Sequence, residues 1–519
     1  MVGLLMARSI RIFASNAVKA KAPEARVAAP ATAKVRRNVF KLFSITVSSR
    51  HKQHARATRP SILAPQDQNV NDIFVIFSKE LQYLSTPSAT IEQMVSIALS
   101  LLCLGQPADL PLIKFLAAPQ PSFPAPKVTK TGDTYDIEFT SQKWQNTLWN
   151  HRILFRVPKG AEKFKTALLY ITGDGPKNGD YLDLNLLSAA TGMPIAMLFN
   201  IPNQPIWGMK EDDLIAHTFN KYLETKDETW PLLFPMTKSA VSSLDVVQSI
   251  AKQNDLSIKN FVVTGASKRG WTTWLTAASQ DKRIIGIAPM VFDNLKFNEQ
   301  MKKQLADWGK YSDQIEDYTR RGLQQKLETP SGNDLLEMVD PYSYRKRINV
   351  PTLIVNGAND AYWTVDAHTR YWNDLKQPKW VLELPNSGHG LEDRSRVVST
   401  VGAFCRSLSG LFKMPTLSTK RKFDGPEPKH VIFEVKTTES EPLSLAIWKA
   451  ESDSKDFRSS KWNEQRFEKG PLIQRDITEG KFNAMFVEAR FSIEGRSFTI
   501  SSPVEVLYGG KQPKEIERK

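Results

Sequence analysis

The residues best suited to chemistry are a serine, an aspartate and a histidine, each set just after an apolar run. Phe261-Val-Val-Thr-Gly265-Ala-Ser267-Lys-Arg-Gly270-Trp271 carries the serine between a strand-like stretch and an amphipathic helical one. Pro351-Thr-Leu-Ile-Val-Asn-Gly357-Ala-Asn-Asp360 presents the acid, and Trp380-Val-Leu-Glu-Leu-Pro-Asn-Ser-Gly388-His389-Gly390 the histidine. A serine hydroxyl is a weak nucleophile until a neighbouring base takes its proton, and an imidazole does this when a carboxylate fixes its tautomer. These are the residue types of acyl transfer: Ser267 to attack, His389 to carry the proton, Asp360 to orient the imidazole. Singly, each has a plainer reading. Ser267 and Asp360 suit helix N-caps, His389 suits a loop, and Asp366 is a rival acid a turn or more into the next helical stretch. Order and placement together favour the catalytic reading.

Such a trio needs a scaffold that brings distant loops to one edge. Ile153–Val157, Thr166–Thr172, Pro194–Phe199, Phe261–Thr264, Ile284–Val291, Pro351–Asn356 and Trp380–Leu384 are short apolar runs alternating with helical patterns. That rhythm predicts a mainly parallel, doubly wound sheet with helices on both faces, whose sites lie past the carboxyl ends of its strands. A serine on a sharp strand-to-helix turn, followed in chain order by an acid and a histidine, is the arrangement of α/β-hydrolases. Gly265 permits the close turn, and the Lys268 amide at the helix start faces a developing oxyanion. One departure stands out: Arg269 occupies the place of the second glycine in Gly-x-Ser-x-Gly, and Gly270 comes one residue later.

Thr172-Gly173-Asp174-Gly175-Pro176 follows an early strand, where hydrolases set a second oxyanion-hole amide. Gly173 and Asp174 are the candidates, and an ordinary tight turn is the alternative. No Gly-Lys-Ser/Thr follows, which disfavours a phosphate loop. Trp271, Tyr362 and Trp363, with Trp308 from a charged insertion, are candidates to line a substrate cleft. Trp271 reads equally as core. Lys268 and Arg269 are candidates for an anionic substrate, or a solvated basic turn.

The expected domains are an α/β-hydrolase domain over residues 109–415 with a helical cap insertion at about 293–340, and an all-β, sandwich-like domain over 427–508. Val431–Val435, Leu443–Trp448, Phe482–Phe491 and Phe498–Val506 are the strand-like runs of the latter.

Charge and cysteine usage exclude several other classes. The net charge of +15 suggests a nucleic-acid binder until it is divided. Of 70 basic and 55 acidic side chains, 13 and 1 fall in residues 1–60, leaving 57 and 54 for the rest. The excess sits in an Ala/Arg/Ser-rich tail rather than on a folded face, so no nucleic-acid partner is expected. Two cysteines exclude a disulfide scaffold and a four-cysteine metal site, and no His-Glu-x-x-His spacing occurs, so no metal or cofactor is expected. His51 and His54 lie in the tail, His151 opens a strand, His217 and His368 sit in helical patterns, and His430 belongs to the β region. The apolar run from Met94 to Gly105 is too short to span a bilayer, so no integral span is expected. It reads as a signal peptide over 94–108 without a basic n-region, or as a short buried helix. On the first reading, 1–93 is a basic, low-order extension upstream of the true start. Translation from Met94 would send the protein to the periplasm or outside, with Cys103 removed and Cys405 left alone.

Asn200-Ile-Pro-Asn-Gln-Pro205, Asp227-Glu-Thr-Trp-Pro-Leu-Leu-Phe-Pro-Met236, Gly265-Ala-Ser-Lys-Arg-Gly-Trp271 and Val339-Asp-Pro-Tyr342 together resemble the PhoPQ-activated pathogenicity-related protein family. Its members include a secreted amoebal repressor of proliferation. The resemblance implies an α/β-hydrolase fold akin to serine peptidases and export through a signal peptide, and names no substrate. The expected function is an exported serine hydrolase acting on an ester or peptide. The alternatives are a secreted signalling or binding protein without turnover and, because Gly-x-Ser-Lys-Arg-Gly resembles the elbow of glucuronoyl esterases, a carbohydrate esterase. The β domain is the expected contact for a protein or carbohydrate partner.

Overall fold

The computed structural model describes residues 110–510 apart from 424, 426–428 and 468–469. The basic extension 1–93 and the segment 94–108 with Cys103 lie outside the described residues. The chain opens with α1 (Pro111–Ala117) and an antiparallel meander, β1 (Lys127–Thr131), β2 (Thr134–Trp144) and β3 (Thr147–Arg156). Then strands and helices alternate: β4 (Thr166–Ile171), α2 (Asn178–Thr191), β5 (Ile195–Phe199), α3 (Glu211–Thr225), α4 (Leu233–Gln253), β6 (Asn260–Ala266), α5 (Lys268–Ala278) and β7 (Ile284–Met290). Four helices interrupt the alternation, α6 (Phe297–Trp308), α7 (Glu316–Thr319), α8 (Leu323–Leu327) and α9 (Pro330–Val339), before β8 (Thr352–Gly357), β9 (Lys379–Leu384) and α10 (Arg394–Leu408).

The sheet runs β1-β2-β3-β5-β4-β6-β7-β8-β9, parallel from β5 to β9 and antiparallel before that. Every residue of β5 and β8 is buried, as befits strands covered on both faces. Alternation along β4 divides the core: Leu169 packs with Phe234, Leu244 and Trp274 on one side, and Leu168 with Leu187 and Phe404 on the other. This is the α/β-hydrolase fold, with Ser267 after β6, Asp360 after β8 and His389 after β9. All seven apolar runs read as strands are strands, and the helical insertion falls between β7 and β8 as expected.

The C-terminal strands build the expected all-β, sandwich-like region. They are β10 (Thr416–Phe423), β11 (His430–Thr438), β12 (Ser444–Ser452), β13 (Asn463–Phe467), β14 (Leu472–Asp476), β15 (Phe482–Ile493), β16 (Arg496–Ser501) and β17 (Glu505–Tyr508). A three-stranded sheet, β10-β11-β14, packs Val431 and Phe433 against Ile447 and Val487 of β12 and β15, so the region is sandwich-like. It starts at β10, upstream of residue 427, because polar Thr416–Phe423 finds its pairing in β11 rather than in an apolar pattern. The other sheet is not free-standing. Ser501 of β16 pairs with Val381 of β9, so β16-β15-β12-β13 continues the hydrolase sheet, with β17 on the side of β15. The Phe498–Val506 run is two strands, divided at Pro503, which has no amide to donate.

Candidate active site

Ser267 joins β6 to α5 with φ 57° and ψ −126°, a left-handed backbone that a residue with a side chain adopts only under constraint. Its amide donates to the Met290 carbonyl at 2.9 Å and its carbonyl accepts from Trp271 N–H at 3.0 Å. A Cβ at Gly265 would lie 2.7 Å from the Arg269 carbonyl oxygen, and one at Gly270 would lie 2.6 Å from that of Met290. The displaced second glycine thus serves the contact of α5 with β7. The amides of Lys268, Gly173 and Asp174 donate to no acceptor among the described residues. The Gly173 loop abuts the elbow, since a Cβ there would meet Arg269 Nη2 at 2.7 Å.

His389 Nδ1 lies 2.8 Å from Asp360 Oδ2, and the other Asp360 oxygen accepts from the Tyr362 amide at 2.8 Å. The Tyr362 ring stands 4.0 Å from the imidazole, centroid to centroid. His389 Nε2 is buried and has no partner among the described residues, so no Ser267–His389 hydrogen bond is closed here. Such bonds commonly tighten only when substrate is bound. Both loops are held from outside. Gln304 Nε2 and Ser312 Oγ of the insertion donate to the carbonyls of Tyr362 and Ala361 at 2.9 and 2.7 Å. Asn359 Nδ2 donates to the Phe457 and Ser460 carbonyls at 3.0 and 2.8 Å. Glu392 accepts from the Gly388 amide at 2.7 Å.

The two basic residues of the elbow are neutralised. Lys268 Nζ lies 2.8 Å from Glu211 and 2.9 Å from Asp212, and Arg269 grips both oxygens of Glu211 at 2.7 and 2.8 Å. Burial alone would raise the Glu211 carboxyl, but the hydrogen bonds and charges of Arg269 and Lys268 outweigh it and hold it well below its usual range. Arg269 also donates to the Ile201 carbonyl. It is therefore a strut between the elbow and the Asn200–Pro205 loop, with its charge already matched. Gln204 extends the network, donating to Asp174 Oδ1 at 3.0 Å and accepting from the Glu211 amide at 2.8 Å. Glu211 and Asp212 escaped notice in the sequence because acids in the first turn of a helix are commonplace.

Ser267, Lys268, Trp271, Tyr362 and Trp363 line one cavity with the insertion. Trp271 does double duty: it is buried, stacks at 5.0 Å on Phe292 and donates Nε1–H to the Val339 carbonyl at 2.6 Å. Trp308 lies apart from this cavity, with the Arg458 guanidinium 4.1 Å over its ring. His151 is buried, 2.9 Å from Ser141 Oγ, and burial lowers its pKa to about 4. Cys405 is buried, its thiol pushed up to about 12 by desolvation.

A second ionisable group was not foreseen. His368 has no exposed surface and sits 3.5 Å from Asp293 and 3.7 Å from Glu383. Burial disfavours its charge, yet the two carboxylates prevail and raise its pKa to about 9. Among the described residues no group of three or more His, Cys, Asp or Glu is placed to hold a metal ion, and no helix is long and apolar enough to cross a membrane.

The family model described as PhoPQ-activated pathogenicity-related protein matches residues 122–458. Autocrine proliferation repressor protein A of Dictyostelium discoideum is 31% identical over 350 residues, which is 62% of this chain and 70% of that protein. Acetyl xylan esterase from Paenibacillus sp. R4 and acetyl xylan esterase 1 from Thermoanaerobacterium sp. JW/SL YS485 each superimpose with a TM-score of 0.43 at 16% identity. They cover 58% of this chain and 95% and 94% of their own.

Proposed function

The chain belongs to the PhoPQ-activated pathogenicity-related protein family, and we propose that it is an exported serine hydrolase that cleaves esters or amides by acyl transfer. The observations that carry the reading are the His389–Asp360 pair at 2.8 Å, its Nε2 unengaged, and a serine held at φ 57° past the carboxyl end of a strand in the same sheet. Ser267 Oγ bonds to the acyl carbon as its proton passes to His389 Nε2, while Asp360 steadies the resulting imidazolium. The oxyanion takes hydrogen bonds from the Lys268 amide and the Gly173–Asp174 loop, whose donors are uncommitted among the described residues. Collapse breaks the bond to the leaving group, which receives the proton from Nε2. Water, deprotonated by the same nitrogen, then adds to the acyl carbon, and the acid departs as Ser267 regains its proton. Export rests on the apolar run from Met94 to Gly105.

The likeness to a protein named for repressing proliferation supports a second reading, a secreted signal on a hydrolase fold without turnover. The two separate on one comparison. Turnover of activated esters by the wild-type protein, falling about 10³-fold or more in Ser267→Ala, supports the hydrolase. Proliferation control that survives Ser267→Ala, with no ester or amide turned over, supports the signal.

A further inference from the structure

The cavity that Ser267 helps to line is small and mostly apolar, and residues of the insertion form part of its wall. Trp271, Phe292, Phe297, Met301 and Leu327 supply its walls, and its volume is about 40 Å³. A single water needs roughly 10–15 Å³ and a void that takes benzene about 150 Å³. The space therefore suits a handful of non-hydrogen atoms and no ring.

The charges beside it are matched. Lys268 is paired with Glu211 and Asp212, and the Tyr318 hydroxyl donates to Asp212 at 2.9 Å. An anionic group would find no free cation there. One polar side chain in the wall is different. Asn294 is 0% exposed, and neither its Oδ1 nor its Nδ2 has a partner among the described residues. Gln324 Oε1, also in the wall, is likewise unpaired. Burying an amide without partners is costly, so a donor and an acceptor must be brought to it. A hydroxyl does both at once.

We propose that this cavity is the acyl pocket and that it takes a short, uncharged acyl chain bearing a hydroxyl, which donates to Asn294 Oδ1 and accepts from Nδ2. The acyl side is assigned because the leaving group must depart first by an open path, whereas the acyl group stays bonded to Ser267 until water releases it. The inference rests on the serine-hydrolase reading for its chemistry but not for its binding.

Two measurements test it. The first compares kcat/KM for 4-methylumbelliferyl acetate, butyrate, 3-hydroxybutyrate, octanoate, phenylacetate and hemisuccinate, each normalised to its alkaline hydrolysis rate. The 3-hydroxybutyrate should exceed butyrate by about tenfold or more, and octanoate, phenylacetate and hemisuccinate should fall well below both. In Asn294→Leu, close in volume and free of polar atoms, the ratio of 3-hydroxybutyrate to butyrate turnover should fall to about one. The second is binding of 3-hydroxybutyramide against butyramide to Ser267→Ala, read as a melting shift, which needs no turnover. Preferential binding there without any ester hydrolysis would retain this pocket and remove the hydrolase reading. Equal binding of the two amides, or an unchanged hydroxyl preference in Asn294→Leu, overturns the pocket while leaving the hydrolase reading intact.

Discussion

Asn386 and Trp462 hydrogen-bond each other in both directions. Asn386 Nδ2 donates to the Trp462 carbonyl at 3.0 Å, and Asn386 Oδ1 accepts from the Trp462 backbone N–H at 2.8 Å. Asn386 stands shortly before His389 and Asn359 directly before Asp360, and both reach the 457–462 segment. The connection between β12 and β13 therefore braces the acid loop and the base loop together. Asn386→Ala and Asn359→Ala should each lower kcat by about tenfold with little change in KM, since loose positioning of a catalytic pair acts on the transition state. Steady-state kinetics with circular dichroism as the folding control checks this. Unchanged kcat in the double variant would refute the brace.

Glu211 compensates two cations at the elbow. Glu211→Gln leaves Lys268 with Asp212 alone and Arg269 with a neutral amide. The expected loss is about 1–3 kcal/mol, discounted because Glu211 is 38% exposed. Its carboxyl lies below the unfolded value of 4.5, so this contribution is full above about pH 4.5 and is lost as pH falls through the folded pKa. Urea unfolding at pH 7 measures it, and a change below about 0.5 kcal/mol counts against the clamp.

His368 makes stability fall with rising pH. Its folded pKa of about 9 exceeds the unfolded 6.5, so the native state keeps a proton across that window that the unfolded chain has lost. This contribution is full below about pH 6.5, declines as pH rises to about 9 and levels off above it, with a slope of at most about 1.4 kcal/mol per pH unit. Glu383, raised to about 7 by burial, acts with the same sign at lower pH. Asp293, Glu383 and Asp366 are the charges that face the imidazole. Denaturation midpoints from pH 6 to 10 should slope downward in the wild type and flatten in His368→Asn.

Gly270→Ala pushes a methyl to 2.6 Å from the Met290 carbonyl, a backbone atom of a central strand, and should cost about 2 kcal/mol or more. Gly179→Ala, at the start of α2 with nothing within 4 Å, should be neutral or stabilising by a few tenths of a kcal/mol. Melting temperatures of the pair test whether the displaced glycine of the elbow is a packing requirement.

The strands were legible because fully buried parallel strands are unbroken apolar runs, and the positions of Ser267, Asp360 and His389 because each lies within five residues of a strand's carboxyl end. Edge strands were harder. β1 is exposed along its whole length and β10 nearly so, and their pairing leaves no apolar period to read. Partnerships were illegible where they join remote positions. Nothing near Asn386 announces Trp462, and nothing near Lys268 announces Asp212. Arg269 read as a free cation because its counter-charge lies far upstream on α3. His368 reads in the sequence only as a member of a helical pattern, since its two carboxylates, Asp293 and Glu383, come from remote positions.

The most direct test of the account is labelling with a fluorophosphonate probe, followed by mass-spectrometric mapping, on wild type, Ser267→Ala, His389→Ala and Asp360→Asn. The account predicts one adduct, on Ser267, abolished in Ser267→Ala and His389→Ala and strongly slowed in Asp360→Asn. Folded wild-type protein that takes no label, or takes it equally without His389, would contradict an activated serine at this elbow.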